Sequence, residues 1–356
     1  MLEQSQATTK RDPQQLGAVW RDYKQANPDV RIRDAASALS VSEAELVATS
    51  VGAAATRLRT DWREIVEAMP SLGKIMCLTR NEHCVHEKVG TFGSIQINAH
   101  GGVVLDPDID LRLFFGRWHH GFAVEEAVES GPRRSLQFFD VDGTAVHKIY
   151  LKPESDAVAY AALVARFVAT DQSPGIAVSA PRPIDADRPD TAIDAKALRD
   201  DWLALKDTHD FFAMLKKHEA GRVQSFRLVG EDLARPMAVT GFARALGLAS
   251  AENLEVMIFV GSPGCIQIHT GPVKNIKRMG PWQNVLDPGF NLHLREDHIA
   301  TAWLVRKPTV DGWVTSIEIF NAAGQQIAWM FGKRKPGQSE LAEWVALAEQ
   351  AASGAH

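Results

Sequence analysis

The chain has 356 residues, 45% hydrophobic and 23% charged, a balance that excludes a disordered or fibrous chain and leaves room for two domains. Lys and Arg number 39 against 44 Asp and Glu, a formal net charge of −5, so nucleic acid, which needs clustered positive charge, is not an expected partner. No apolar run approaches the roughly 20 residues of a membrane helix and the first twenty residues hold no signal-like apolar core. Neither membrane insertion nor export is expected, and the expected location is the cytoplasm. Three cysteines, Cys77, Cys84 and Cys265, form no disulfide framework.

Along the chain, Leu16, Trp20 and Tyr23 open a helical pattern. Arg31 to Ala48 then reads as two short helices, with Ser42 and Glu45 set as a capping box before the second. A DNA reader would want basic or amide side chains on that second helix, which offers Glu43 and Glu45 instead. His83, Cys84, His86 and Glu87 crowd into RNEHCVHEK. Two histidines three apart on a strand face opposite ways, and structural zinc takes four ligands from separated pairs, so a metal site is a weak reading there. The adjacent His119 and His120 diverge for the same reason.

Strand signals follow in SIQIN, LRLFF, SLQFFDV and AVHKIYL, and again in VMIFV, CIQIH, ATAWLVRK, WVTSIEIF and QIAWMF. These runs are short, rich in β-branched and aromatic residues, and separated by turns such as Asp142-Gly143 and Asp311-Gly312. Successive strands without intervening helices imply antiparallel sheets and an α+β class.

The sequence also repeats itself. VLDPDIDLRL from Val104 returns as VLDPGFNLHL from Val285, and SLQFFDVDG from Ser135 returns as SIEIFNAAG from Ser316, both 181 residues on. Leu16, Trp20 and Tyr23 answer Leu198, Trp202 and Leu205 at 182. GSIQIN at Gly93 matches GCIQIH at Gly264 at 171, which implies an insertion in one half. A tandem duplication follows, with residues 1–170 and 196–356 as the two halves, packed together, each a set of helices plus an antiparallel sheet. Residues 171–195, with Pro174, Pro181, Pro183 and Pro189, are expected to be an extended linker.

The second half opens on a candidate site. Leu198, Trp202, Leu205, His209 and Phe212 are spaced 4, 3, 4, 3, one face of a helix expected to run from an Asp194 cap to a Gly221 stop. His209 is then either a satisfied core histidine or a ligand, and His218, half a turn round, is solvated. The first half has Asn27 where the second has His209, an asymmetry that favours a ligand. Further cations cluster late in the chain: Arg306 and Lys307, then Lys333, Arg334 and Lys335. They are either a solvated basic face or partners for an anion. A histidine on an apolar face with nearby cations suits a flat apolar ligand that carries a metal and carboxylate tails, of which haem is one. No Cys-X-X-Cys-His is present, so haem would be of the b type, held without covalent bonds.

Several longer segments, KDTHDFFAMLKK, GCIQIHTGPV, GPWQNVLDPGFNLHLR, VRKPTVDGWVTSIEIF and FGKRKPG, with LTRNEHCVHEKVG and IDLRLFF in the first half, resemble those of the HemS/HmuS-type haemin transport and haem-degrading proteins of bacterial haem uptake. The resemblance runs from Leu16 to about Ala346. It implies a cytoplasmic protein that binds haem after import, and carries over His209 as axial iron ligand with Lys307 and Arg334 beside the propionates. It places Arg112, the candidate catalytic residue, and Phe114 on the opposite haem face. An aromatic or hydroxyl contact that some members have near Ala328 is unmatched. Implied partners are haem, an inner-membrane haem ABC transporter, and an external electron donor if haem is degraded. The alternative is a chaperone that delivers haem to a separate haem oxygenase.

Overall fold

The computed structural model describes residues 8–99, 101–129, 131–184, 186–334 and 337–353. In the first half the order is β1 (Thr8–Lys10), α1 (Pro13–Ala26), α2 (Ile32–Ala38), α3 (Glu43–Ala48), β2 (Ala55–Arg57) and α4 (Trp62–Ala68). Five strands follow: β3 (Gly73–Arg80), β4 (Cys84–Gly90), β5 (Ser94–Ile97), β6 (Gly102–Leu105) and β7 (Asp110–Leu113). Then come β8 (His120–Val128), β9 (Gly131–Phe139), β10 (Ala145–Ser155) and α5 (Ala157–Phe167). After β11 (Ala177–Ser179) the same order returns as α6 (Ala195–Leu203), α7 (Asp210–Lys217), α8 (Arg222–Leu228), β12 (Ala234–Met237) and α9 (Gly241–Glu252). Its strands are β13 (Val256–Gly261), β14 (Cys265–Gly271), β15 (Ile276–Met279), β16 (Trp282–Asp287) and β17 (Phe290–Arg295). β18 (Thr301–Thr309), β19 (Gly312–Phe320), β20 (Gln326–Gly332) and α10 (Ala342–Ser353) complete the chain.

Pairing repeats with the order. In the first half β2, β8, β9, β10 and β3 run side by side, all antiparallel, as do β5, β6 and β7. In the second half β12, β18, β19, β20 and β13 do the same, with β15, β16 and β17. The fold is α+β in two matched halves, and the hairpin glycines fall where expected. Gly143 and Gly312 adopt φ of 80° and 111°, conformations that a side chain would strain.

Strand matching corrects one reading of the repeat. Cys265–Gly271 (β14) answers Cys84–Gly90 (β4) at 181, whereas β5, which contains SIQI, answers β15 at 182. The 171 offset joined two unrelated strands that share the tripeptide IQI, and the insertion inferred from it does not exist.

The chain divides into two compact units, although not at one cut. The first comprises Met1–Arg80, Glu87–Pro183 and Gly261–Gln267; the second comprises Asn81–His86, Ile184–Val260 and Ile268–His356. The proline-rich segment is not free throughout, because Ala177–Ser179 pairs antiparallel with Thr8–Lys10. The first unit packs its main core from Trp62, Ile65, Phe138, Ile149, Leu163 and Phe167. In the second unit, one core packs α9 and α10 on the sheet, and another, built on Trp202, Phe211, Phe226 and Phe320, anchors α6 to α8.

Candidate functional site

The single long helix expected from Asp194 to Gly221 is broken. Asp194 does cap α6, accepting from Ala197 N at 3.0 Å, but that helix ends at Leu203 and α7 begins at Asp210. The cause is local. Asp207 Oδ1 accepts the His209 backbone N–H at 2.9 Å, an Asx turn that competes with helical hydrogen bonding. Gly221 is the N-cap of α8.

The break resets the helical phase. Phe211, Met214 and Leu215 now face the core, while Phe212 is 73% exposed and the His209 side chain 85% exposed. His209 is therefore not on the buried stripe that the 4, 3, 4, 3 spacing predicts. Its Nδ1–H donates to the same Asp207 Oδ1 at 2.6 Å. Nε2 has no partner among the described residues. His218 departs from expectation in the opposite sense: it is mostly buried, with Nε2 bonded to Asp201 at 2.7 Å.

Around His209 the second half gathers three loops. Val310 N donates to Lys206 O at 3.0 Å, which holds the β18–β19 turn against the His209 loop. In that turn Val310 is 76% exposed, and Trp313, the second residue of β19, is partly exposed. Arg334 approaches Asp311 at 3.6 Å, and its charge also acts on Asp207. The Asp207 carboxyl is held below the usual range first by the His209 backbone N–H. An open imidazole thus stands in one neighbourhood with apolar side chains and a guanidinium. Lys335 lies outside the described residues, and Lys333 pairs with Glu255 at 2.8 Å.

Lys307, which the resemblance carries over as a propionate contact, is buried in the structure beside a carboxylate. Alternation along β18 turns Arg306 outward, over Trp313 at 5.0 Å, and Lys307 inward, where it is 3% exposed. Its ammonium donates to Glu318 Oε1 at 2.7 Å and sits 4.5 Å from the Phe211 ring centre. Glu318 also accepts from Arg222, Ser316 and Gln326 at 2.8, 3.0 and 3.0 Å. Burial alone would raise the Glu318 carboxyl, but Arg222 and Lys307 outweigh it and hold the group at about 2. Burial lowers Lys307 to about 8 against the pull of Glu318. This network lies under Phe211, two residues beyond His209, and so braces α7 from below.

In the first unit Arg112 lies on β7, paired with Asp110 and donating to Leu111 O at 3.2 Å; Phe114 is exposed. The capping box of α3 is present, but Glu43 and Glu45 are buried rather than displayed, and Glu43 pairs with Lys148 and Arg80. His83 Nδ1 meets His298 Nδ1 at 2.9 Å, and His119 contacts the buried Asp140 at 3.1 Å. All three cysteines are buried. Sequence reasoning missed Asp207, Val310 and Trp313. An aspartate two residues before the histidine was the available signal for the turn.

Fold and site together define a two-part α+β protein whose second half presents, among the described residues, an exposed carboxylate-held imidazole. The model of the haemin-degrading HemS/ChuX domain matches the chain twice, over residues 40–167 and 219–351, and the chain belongs to that family. It is 40% identical over 334 residues to the hemin transport protein HemS of Yersinia enterocolitica, covering 92% of this chain and 95% of that protein. Holo-PhuS, a heme-binding protein from Pseudomonas aeruginosa, matches at 48% identity with a TM-score of 0.93, over 95% of this chain and 99% of that one. The heme-degrading enzyme ChuS of Escherichia coli O157:H7 matches at 39% identity and a TM-score of 0.89, over 95% and 99%. Among the described residues no helix is long and apolar enough to cross a membrane.

Proposed function

We propose that the chain binds one haem b in the cytoplasm as part of a bacterial haem-uptake system, with His209 as the iron ligand, and opens the ring to release iron. The carrying observation is the presentation of His209: 85% exposed, with Nδ1 tied to Asp207 so that Nε2 is open to a metal. A liganding histidine characteristically gives its other ring N–H to a carboxylate or carbonyl, so these residues fit the group. Phe212, Val310 and Trp313 offer apolar surface to a macrocycle, and Arg334 offers its charge to a propionate. Arg112 and Phe114 remain in this reading as contacts on the opposite face, on the family resemblance alone. The oxidative chemistry would belong to haem, with electrons from an external donor and dioxygen or peroxide as the oxidant. Within this reading the matched halves are a tandem duplication in which the second copy alone holds the ligand.

Haemin titration tests the site. His209→Ala should weaken binding by at least about tenfold and change the Soret spectrum, whereas His218→Ala should leave the spectrum intact; equal spectra for His209→Ala and the parent protein would overturn the assignment. The second reading is a chaperone that receives haem downstream of an inner-membrane ABC transporter and passes it to a separate haem oxygenase. In its favour, the match at 48% identity is described as heme-binding, while the heme-degrading one stands at 39%. Single-turnover spectra with a reductase and catalase separate the two. Loss of the Soret band to an open tetrapyrrole supports degradation, and an unchanged band that moves to an added oxygenase supports delivery.

A further inference from the structure

We propose that Asp207 is a positioning residue for iron ligation, fixing the His209 tautomer and making Nε2 a stronger donor to ferric than to ferrous iron. The proposal rests on the haem reading and adds what sets the ligand's strength. A neutral imidazole carries its proton on one nitrogen or the other, and only the bare nitrogen can bind a metal. Here one oxygen makes the choice. Asp207 Oδ1 accepts from the His209 backbone N–H at 2.9 Å and from Nδ1 at 2.6 Å, so the turn that breaks the helix also holds the ring proton on Nδ1.

The acceptor is a carboxylate, not a carbonyl. It draws the Nδ1 proton toward itself and leaves excess electron density on the ring, which strengthens donation to the more highly charged iron. In the unloaded chain both side chains are mostly exposed and water screens the pair. A flat apolar ligand seated over His209 would exclude that water, and the hydrogen bond would strengthen as the site fills. Arg334 limits the effect, because its charge acts on Asp207 as well as on Asp311.

Asp207→Asn is the informative variant. The asparagine oxygen can still accept the His209 backbone N–H and keep the turn, while the negative charge is gone. In ¹⁵N-labelled protein without haem, His209 should show a protonated Nδ1 and a bare Nε2, and the variant should shift toward the Nε2–H tautomer. With haemin added, the variant should lose about tenfold in ferric affinity with little change in ferrous affinity. That ratio corresponds to a midpoint potential higher by about 59 mV for one electron. An unchanged tautomer together with an unchanged potential overturns the proposal. His209→Ala is the control: if it binds haemin like the parent, the haem reading itself fails. If it alone shifts the spectrum and Asp207→Asn does nothing, only the role of Asp207 falls.

Discussion

In the first half α1 runs fourteen residues to Ala26, and Asn27 caps it. In the second half α6 begins at the matching position, Ala195, and stops after nine. Gln25 and Ala26, good helix formers, stand where the second half has Asp207 and Thr208, which favour turns and caps. That exchange breaks the helix, frees His209 and turns Phe211 inward. Beneath it the halves differ again. Ser135 and Gln137 form a neutral pair on β9, while the matching Ser316 and Glu318 on β19 belong to a buried charged network. The two matched halves thus diverge at the helix end and at the side chains that support it, so in the proposed reading an altered and braced turn, rather than a new element, supplies the ligand.

Removing the brace should give the largest effect. Glu318→Gln leaves Lys307 and Arg222 without their counter-ion, a change that costs about 3–5 kcal/mol for buried pairs. We expect the low end, near 3, since Lys307 at about 8 can shed its proton. Gln137→Ala in the first half should cost about 1 kcal/mol, one hydrogen bond. Denaturant unfolding checks both, and equal costs would dissolve the comparison. Lys307→Met should destabilise by about 1–3 kcal/mol with haemin affinity of the folded protein nearly unchanged. A large affinity loss at full stability would return Lys307 to the propionates.

Acid tests the same brace. Glu318 and Glu43 are each held at about 2, below the ordinary value of 4.5. In both, burial opposes ionisation and neighbouring cations prevail, Lys148 and Arg80 for Glu43. A depressed carboxyl contributes stability above its unfolded value and loses it as pH falls. The chain should therefore weaken between about pH 4.5 and 2. Unfolding free energies across that range should fall less steeply in Glu318→Gln, in which only the share of Glu43 remains. An identical slope would show that Glu318 ionises no more readily folded than unfolded.

Much of this was legible in the sequence: the nine strand signals, the two hairpin turns and the α+β class follow from side-chain period and turn chemistry. What misled was periodicity at the boundary. The 4, 3, 4, 3 spacing continues through Asp207 because a helix restarting three residues later, at Asp210, can preserve an apolar rhythm while rotating its face. The 171 offset misled in a similar way, since IQI suits any half-buried strand. The inward turn of Lys307 was unreadable because its counter-ion, Glu318, lies across a strand pair.

Arg334 is the next, smaller lever. Its guanidinium stays partly exposed and its nearest acid is 3.6 Å away, so it can turn to an added anion. Arg334→Ala should weaken haemin binding about tenfold, or about 1.4 kcal/mol, with the iron spectrum unchanged and the loss shrinking at high salt. A change in the spectrum would mean that Arg334 acts on the iron ligand and not on the propionates.

Asn27→His should do least, and its failure to do more is informative. It places histidine at the position of the first half that answers His209. Asn27 ends α1 with its side-chain amide donating to Tyr23 O at 3.0 Å, and the residue two before it is Gln25. A histidine there, exposed as Asn27 is, would have no carboxylate two residues before it to hold Nδ1. The expected cost is about 0.5–1 kcal/mol for the lost side-chain hydrogen bond, with haemin stoichiometry still one per chain. If a second haemin bound, histidine alone would suffice, and the turn, Asp207 and the brace beneath them would be incidental to the site. If stoichiometry holds but Gln25→Asp added to Asn27→His raises it, the aspartate turn is the part of the second half that converts a repeated helix into a ligand site.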